Sequence, residues 1–375
     1  MTGMKKLLIV VLAVLTQVSC SWFTAPFKGL YQTLAVEDTA TVIASRTYIR
    51  SSYAVVAADL LEVKRGDVLD ILDETVHERT RWYRVRAYDE DSTEGWIEAK
   101  DVIVGSLLRK SYELAEEDKD KQPQAKGQLR APAKLRFSPE IREDNVLLVL
   151  EKRGETQTVF DIVSWKLIPK IQVDLQDDSE VQNRQMSKNE EIEVLRQEKK
   201  VETLEERYDI WYKVRLSPSV SPAPAGWIFG RQVELLIPQD IRYYQFEGKR
   251  FVAWHRLDPV DGEASKQDRP GSWVVLSRSN LAKANTPEEE PDFDSVAVFY
   301  YDKYSGEHIT VYRSGEFWGK LPFKVVDKGR DKLFTILVRN TEGNLEEKTF
   351  VIFKSVRDHL RVTPPEDIPR FGKKL

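Results

Sequence analysis

One cysteine, Cys20, and four histidines, His77, His255, His308 and His359, are the residues from which this 375-residue chain would have to build thiol or zinc chemistry. Cys20 ends an apolar N-terminal run, so no thiol nucleophile lies downstream, and cysteine peptidase or transpeptidase chemistry is excluded. One thiol also excludes an intrachain disulfide framework and a cysteine zinc cluster. The histidines are widely spaced, with no His-Glu-x-x-His pattern to bring two imidazoles to one helix face. A Gly-x-Ser-x-Gly elbow, a phosphate loop and a dinucleotide fingerprint are all missing. With 61 acidic residues a glycosidase-type carboxylate pair is always imaginable and therefore uninformative. The acidic stretch Glu288–Asp294 lacks the spacing and glycine of a calcium loop; it reads as a solvated acidic loop, a weak divalent-cation loop being the alternative. These residues predict no enzyme, no metal and no cofactor; a cryptic hydrolase in the C-terminal part is a residual alternative.

The composition agrees with a globular chain: 41% hydrophobic, 31% charged and 10% aromatic, with a formal charge of −4. That balance argues against a nucleic-acid partner. The start is distinct. Lys5 and Lys6 precede the apolar run Leu7–Leu15, long enough for the core of a signal peptide and too short to span a bilayer. Small Ser19 then precedes the sole cysteine. Residues 1–19 read as a signal peptide, and Thr16–Cys20 resembles a bacterial lipoprotein box, with Gln17 where the usual box has leucine. The resemblance implies lipid attachment at Cys20, a membrane anchor and an exported, cell-envelope location. An ordinary secretory cleavage near Ser19, or a retained anchor, is the alternative.

The body alternates short runs rich in Val, Ile, Tyr, Phe and Trp with clusters of Gly, Pro, Asn and Asp, a strand signal that predicts small β modules. Two stretches can be superposed. Lys64–Leu72, Arg81-Trp-Tyr-Arg-Val-Arg86 and Gly95-Trp-Ile97 match Ser187–Leu195, Ile210-Trp-Tyr-Lys-Val-Arg215 and Gly226-Trp-Ile228. Gly66 and Asn189 share a turn position that favours left-handed backbone. A period of two sends Trp82, Arg84 and Arg86 to one face, Tyr83 and Val85 to the other. Gly95 and Gly226 mark strands that approach another backbone closely.

The order of these motifs, with the starts Thr47-Tyr-Ile-Arg-Ser-Ser52 and Ala133-Lys-Leu-Arg-Phe-Ser-Pro139, resembles the bacterial SH3-like domain. It predicts a mainly β protein: a tandem of small SH3-like barrels, over 41–105 and, expanded by an insertion, over 133–236, with a charged linker at 106–132 between them. The alternative for the second stretch is a truncated module followed by one without its start. The charged run Gln176–Arg207 reads as part of that insertion, a short amphipathic or solvated helix. Strand-like runs between Arg250 and Phe353 predict a C-terminal antiparallel sandwich or barrel over 240–362, and 363–375 is a proline-rich tail.

Nine tryptophans and fourteen tyrosines in a chain without catalytic motifs point to recognition. In the SH3-like family aromatics lining a groove contact extended peptides, and bacterial members are associated with peptidoglycan. By that resemblance the binding candidates are Tyr48, Trp82, Tyr83 and Trp96 in the first module and Trp211, Tyr212 and Trp227 in the second, although one face of each strand must form core. The expectation is a lipid-anchored envelope protein that binds peptidoglycan peptides or an envelope protein. The alternative is a structural or surface interaction protein whose C-terminal β domain makes the contact, with the SH3-like modules as spacers.

Overall fold

The computed structural model describes residues 38–151, 158–170, 202–246, 248–258, 270–355 and 359–368. The signal segment, Cys20, the run 187–195 and most of the tail lie outside them. The protein is mainly β, 53% strand and 10% helix, in several antiparallel sheets. The chain divides into two compact units, residues 1–110 and 111–375.

The first unit is one seven-stranded sheet. Its strands are β1 (Thr39–Val42), β2 (Arg46–Arg50), β3 (Asp59–Lys64), β4 (Val68–His77), β5 (Thr80–Ala87), β6 (Glu94–Glu98) and β7 (Val102–Val104), in the spatial order 3-2-6-5-4-1-7. Ala40, Val42, Ile49, Leu69, Val85 and Ile97 form its core, the apolar half of each alternating run. Gly66 has φ +94°, the left-handed turn expected between β3 and β4. The β4–β5 hairpin turns on Glu78 and Arg79, both at positive φ, which matches the twist of paired strands.

Helix α1 (Gly105–Glu117) crosses into the second unit. The sheet that follows is built from β8 (Ala125–Leu129), β9 (Ala133–Arg136), β10 (Val146–Leu150), β11 (Val159–Pro169), β12 (Tyr208–Arg215), β13 (Ala225–Phe229) and β14 (Val233–Leu235). Its order, 10-9-13-12-11-8-14, repeats the first sheet strand for strand. Even a local irregularity is duplicated: the β4–β5 register shifts between Ile71 and Asp73, and the β11–β12 register shifts between Ile162 and Ser164. A shared bulge marks one architecture used twice.

This topology corrects three readings. The counterpart of Val68–His77 is β11, Val159–Pro169, not the run 187–195; Val68-Leu-Asp-Ile matches Val159-Phe-Asp-Ile, and β11 pairs directly with the Trp211 strand. Residues 106–132 are not only a linker, because α1 occupies Gly105–Glu117 and the second sheet begins at Ala125. The β8 sequence, Ala-Lys-Gly-Gln-Leu, lacks alternating large apolar residues. It is buried because Gly127 admits the Phe160 ring, 2.7 Å from where a Cβ would stand. Nor is Glu288–Asp294 a solvated loop. Glu290 and Asp294 are fully buried, Glu290 against Arg278 at 2.6 Å and Asp294 against Lys283 at 2.7 Å. Of the charged run Gln176–Arg207, the described end is a single helical turn, α2 (Leu204–Arg207), opened by a capping box between Thr203 and Glu206.

Two four-stranded antiparallel sheets complete the second unit. One holds β15 (Lys249–Arg256), β16 (Trp273–Ser279), β17 (Ser295–Asp302) and β18 (Glu307–Arg313); the other holds β19 (Gly319–Lys328), β20 (Asp331–Arg339), β21 (Leu345–Lys354) and β22 (Leu360–Thr363). Val274, Val296 and Val298 of the first share one core with Phe323, Phe334 and Phe350 of the second, and Trp165 of β11 packs against it. The segment before β8 ties these sheets to the preceding one. The Gln122 side chain accepts from Val325 N–H at 3.0 Å and donates to Val325 C=O at 2.9 Å. Gln124 does the same with Phe323, at 2.8 and 3.3 Å. Two side-chain amides thus pair with β19 as a neighbouring strand would.

Candidate functional site

The seven candidate aromatics separate by burial. Trp82, Tyr83, Trp211 and Tyr212 are core residues, the last stacked on Trp165 with centroids 6.3 Å apart. Burial pushes the Tyr212 hydroxyl pKa above its ordinary value. Trp96 and Trp227 are half-buried and Tyr48 is exposed, its hydroxyl 3.3 Å from Glu62. Period-two alternation puts Trp82 on the face of Arg84 and Arg86. It lies there in register with Glu98, yet only 6% of it is accessible.

What the first sheet brings together is Trp96, Tyr53 and His77. Tyr53 meets the Trp96 indole edge-on at 5.2 Å and the His77 ring at 4.8 Å. Trp96 comes from β6, His77 from the end of β4, and Tyr53 from the loop 51–58 between β2 and β3. Tyr53 and His77 are exposed, so the cluster faces solvent. The loop is held from beneath by Arg50, whose Nη2 donates to Val55 C=O at 3.0 Å and to Ala57 C=O at 3.2 Å. Ser51 closes its base, donating N–H to Ala58 C=O and accepting the Ala58 N–H on Oγ. The tip then presents Val55 and Val56 at 86% and 94% exposure, two apolar side chains facing water. Beside the aromatics, Arg84 and Arg86 share the Glu94 carboxylate at 3.0 and 2.7 Å. The Arg86 hydrogen bond holds the Glu94 carboxyl below its usual pKa.

The second sheet carries the same frame with a different outcome. Arg136 lies opposite Trp227 as Arg50 lies opposite Trp96, and its Nη1 donates to Asn145 Oδ1 at 2.6 Å and to the Arg142 carbonyl. Gly95 and Gly226 serve one purpose, since a Cβ would stand 2.5 Å from Arg50 O in one case and 2.6 Å from Leu135 Cδ1 in the other. Register makes Lys213 and Arg215 the counterparts of Arg84 and Arg86, and Ala225 the counterpart of Glu94. Here the chain covers its own face. Ser111 Oγ donates to Ala225 C=O and accepts its N–H, at 2.6 and 3.0 Å. Lys213 Nζ lies 2.7 Å from Glu117 and 2.5 Å from Asp118, and Arg215 donates to Asp118 C=O at 2.7 Å. The Lys213 side chain is 5% accessible, against 49% for Arg84.

Tyr53 and the two loop-holding arginines were not among the binding candidates read from sequence, and His77 was weighed there only as a zinc ligand. The arginines had a signal, the repeated Ile-Arg-Ser and Leu-Arg-Phe-Ser starts; Tyr53 and His77 had none, because loop packing brings them in. Among the described residues no group of three or more His, Cys, Asp and Glu side chains is arranged to hold a metal, and no helix is long and apolar enough to cross a membrane. Neither a protein-family model nor a curated protein matches the chain.

Proposed function

We propose that this is a non-enzymatic, exported envelope protein, lipid-anchored at Cys20, that binds peptidoglycan peptides or an envelope protein through the first of two SH3-like barrels. The single observation carrying this reading is the solvent-facing cluster of Trp96, Tyr53 and His77 beside the Val55–Val56 tip. Rigid amphipathic aromatics bind extended peptides at low entropic cost, and ordered exposed apolar groups are characteristic of interaction sites. The repeated strand order and bulge support the tandem SH3-like reading. The shared core of the last two sheets supports a C-terminal sandwich, here a support built onto the second barrel.

The two barrels are unequal in this account, since α1 and Asp118 cover the second face. Recognition is therefore monovalent, without avidity between modules. The test uses residues 22–375, which lack the lipid, pelleted with cell-envelope fragments of the producing bacterium. Trp96→Ala, with an unchanged circular dichroism spectrum, abolishes pelleting. Pelleting that survives protein removal from the fragments identifies wall peptide as ligand; pelleting lost with it identifies a protein. Wild-type protein that stays in the supernatant with both materials contradicts the reading.

A further inference from the structure

The outer face of the β15–β18 sheet carries a depression built from small residues. Val274, Leu276, Val296 and Val298 of β16 and β17 belong to the shared core, so Ser277, Ser295 and Ala297 face the other way. Phe251, Ser277 and Ser295 lie side by side across three strands, and Ala297 lies opposite Arg313. Three small side chains between Phe251 and Phe299 cannot fill this face. The chain before β15 roofs it only in part. The Tyr244 ring packs on Phe299 with centroids 5.0 Å apart, and Phe246 stands at the edge, half-exposed. The cleft left between them measures about 220 Å³. Apolar cavities of about 150 Å³ accept a benzene molecule, so the cleft has room for one ring.

Charge selects what that ring must carry. No carboxylate lines the cleft. The neighbouring pair, Asp294 and Glu316, is shared between Lys249 and Lys283, so two anions are already matched by two cations. Arg313 is a third cation at the rim. Its guanidinium lies over the Phe246 ring, 4.2 Å from the centroid, and meets no carboxylate among the described residues. A guanidinium over a ring still offers its N–H fork to a carboxylate. Of the cleft's serines, Ser314 accepts the Val296 N–H at 2.9 Å and Ser295 donates to Asp294 at 3.1 Å. The Ser277 hydroxyl has no partner among the described residues and is left to the ligand. We propose that this cleft binds a carboxylate borne on a single apolar ring, the ring between Phe251 and Phe299 and the carboxylate on Arg313. A free aromatic acid and the C-terminal aromatic residue of a peptide both present that chemistry. Every residue of the cleft belongs to the second unit, so recognition by Trp96 and Tyr53 stands or falls separately.

The experiment titrates the full chain into para-fluorophenylacetate and follows the fluorine resonance. One molecule binds per chain, saturably. The neutral amide of the same ring binds about tenfold more weakly, because it forfeits a charge-assisted pair. Arg313→Gln, at an exposed position, weakens binding of the acid to the same extent. Ser277→Leu, which fills the cleft floor, abolishes binding with an unchanged circular dichroism spectrum; if that variant does not fold, Arg313→Gln and the amide decide. Competition with N-acetylphenylalanine identifies the source: displacement of the probe assigns the site to a peptide C-terminus, and no displacement assigns it to a free acid. An absence of saturable binding, an amide that binds as tightly as the acid, or binding unchanged by Arg313→Gln overturns the proposal.

Discussion

At the scale of single residues, several side chains shape the backbone and leave function to their neighbours. Arg50 is a positioning residue. Removing its guanidinium leaves Val55 and Ala57 carbonyls without their donor, so Arg50→Ala is expected to open loop 51–58 to proteolytic nicking while the sheet stays folded. Limited digestion followed by mass spectrometry checks this. Gly95→Ala places a methyl 2.5 Å from the Arg50 carbonyl, a backbone atom, whereas Gly226→Ala meets first the Leu135 side chain. Both destabilise, Gly95→Ala by about 1–3 kcal/mol and Gly226→Ala by less, as urea unfolding will show. The glycines were legible because Gly-Trp-Ile recurs. Trp96 was legible for the same reason, but its partial exposure was not: periodicity within a strand says nothing about which of two neighbouring tryptophans is covered.

At the scale of elements, α1 and the segment after it cover one face of the second sheet. Burial pushes the Asp118 carboxyl upward, but hydrogen bonds from Lys121 and Lys213 outweigh it and hold its pKa below the ordinary value. A carboxyl depressed by folding stabilises above its unfolded pKa, about 3.9, and loses that contribution as the pH falls through the folded value. The helix end therefore stays docked across neutral pH and is released only in acid. Asp118→Ala exposes the same dependence: it costs about 1–3 kcal/mol at pH 7, because buried Lys213 keeps only the exposed Glu117 carboxylate. That difference shrinks toward zero in unfolding measured well below pH 4. Sequence missed this element's role because Tyr112–Asp120 is rich in acids, which composition reads as solvated, while the ammonium that binds them lies about a hundred residues away. The second copy of β4 was hidden for a related reason: residues 171–201 separate β11 from its partner, and a closer match in charge pattern at 187–195 drew the alignment.

At the scale of the whole molecule, the second unit is continuous from the helix to the last strand. Gln122 and Gln124 complete the edge at β19, and Trp165 packs on the core of the C-terminal sheets. Residues 240–375 alone would leave that edge unpaired, a template for aggregation. The fragment is expected to lack a cooperative thermal transition by circular dichroism, whereas 111–375 shows one. The mainly β architecture was legible throughout, since Arg250–His255, Ser295–Tyr301 and Leu333–Val338 read as strands and are strands. The tie between the last sheets and the second seven-stranded sheet was not, because two glutamines acting as a strand leave no periodic trace.

The most direct measurement compares Trp96→Ala and Trp227→Ala in pelleting of residues 22–375 with envelope fragments, both variants first shown to be folded. Trp96→Ala is expected to abolish pelleting and Trp227→Ala to leave it at the wild-type level, because among the described residues α1 and Asp118 cover the second face and not the first. Pelleting that survives Trp96→Ala, or is lost with Trp227→Ala, would contradict this.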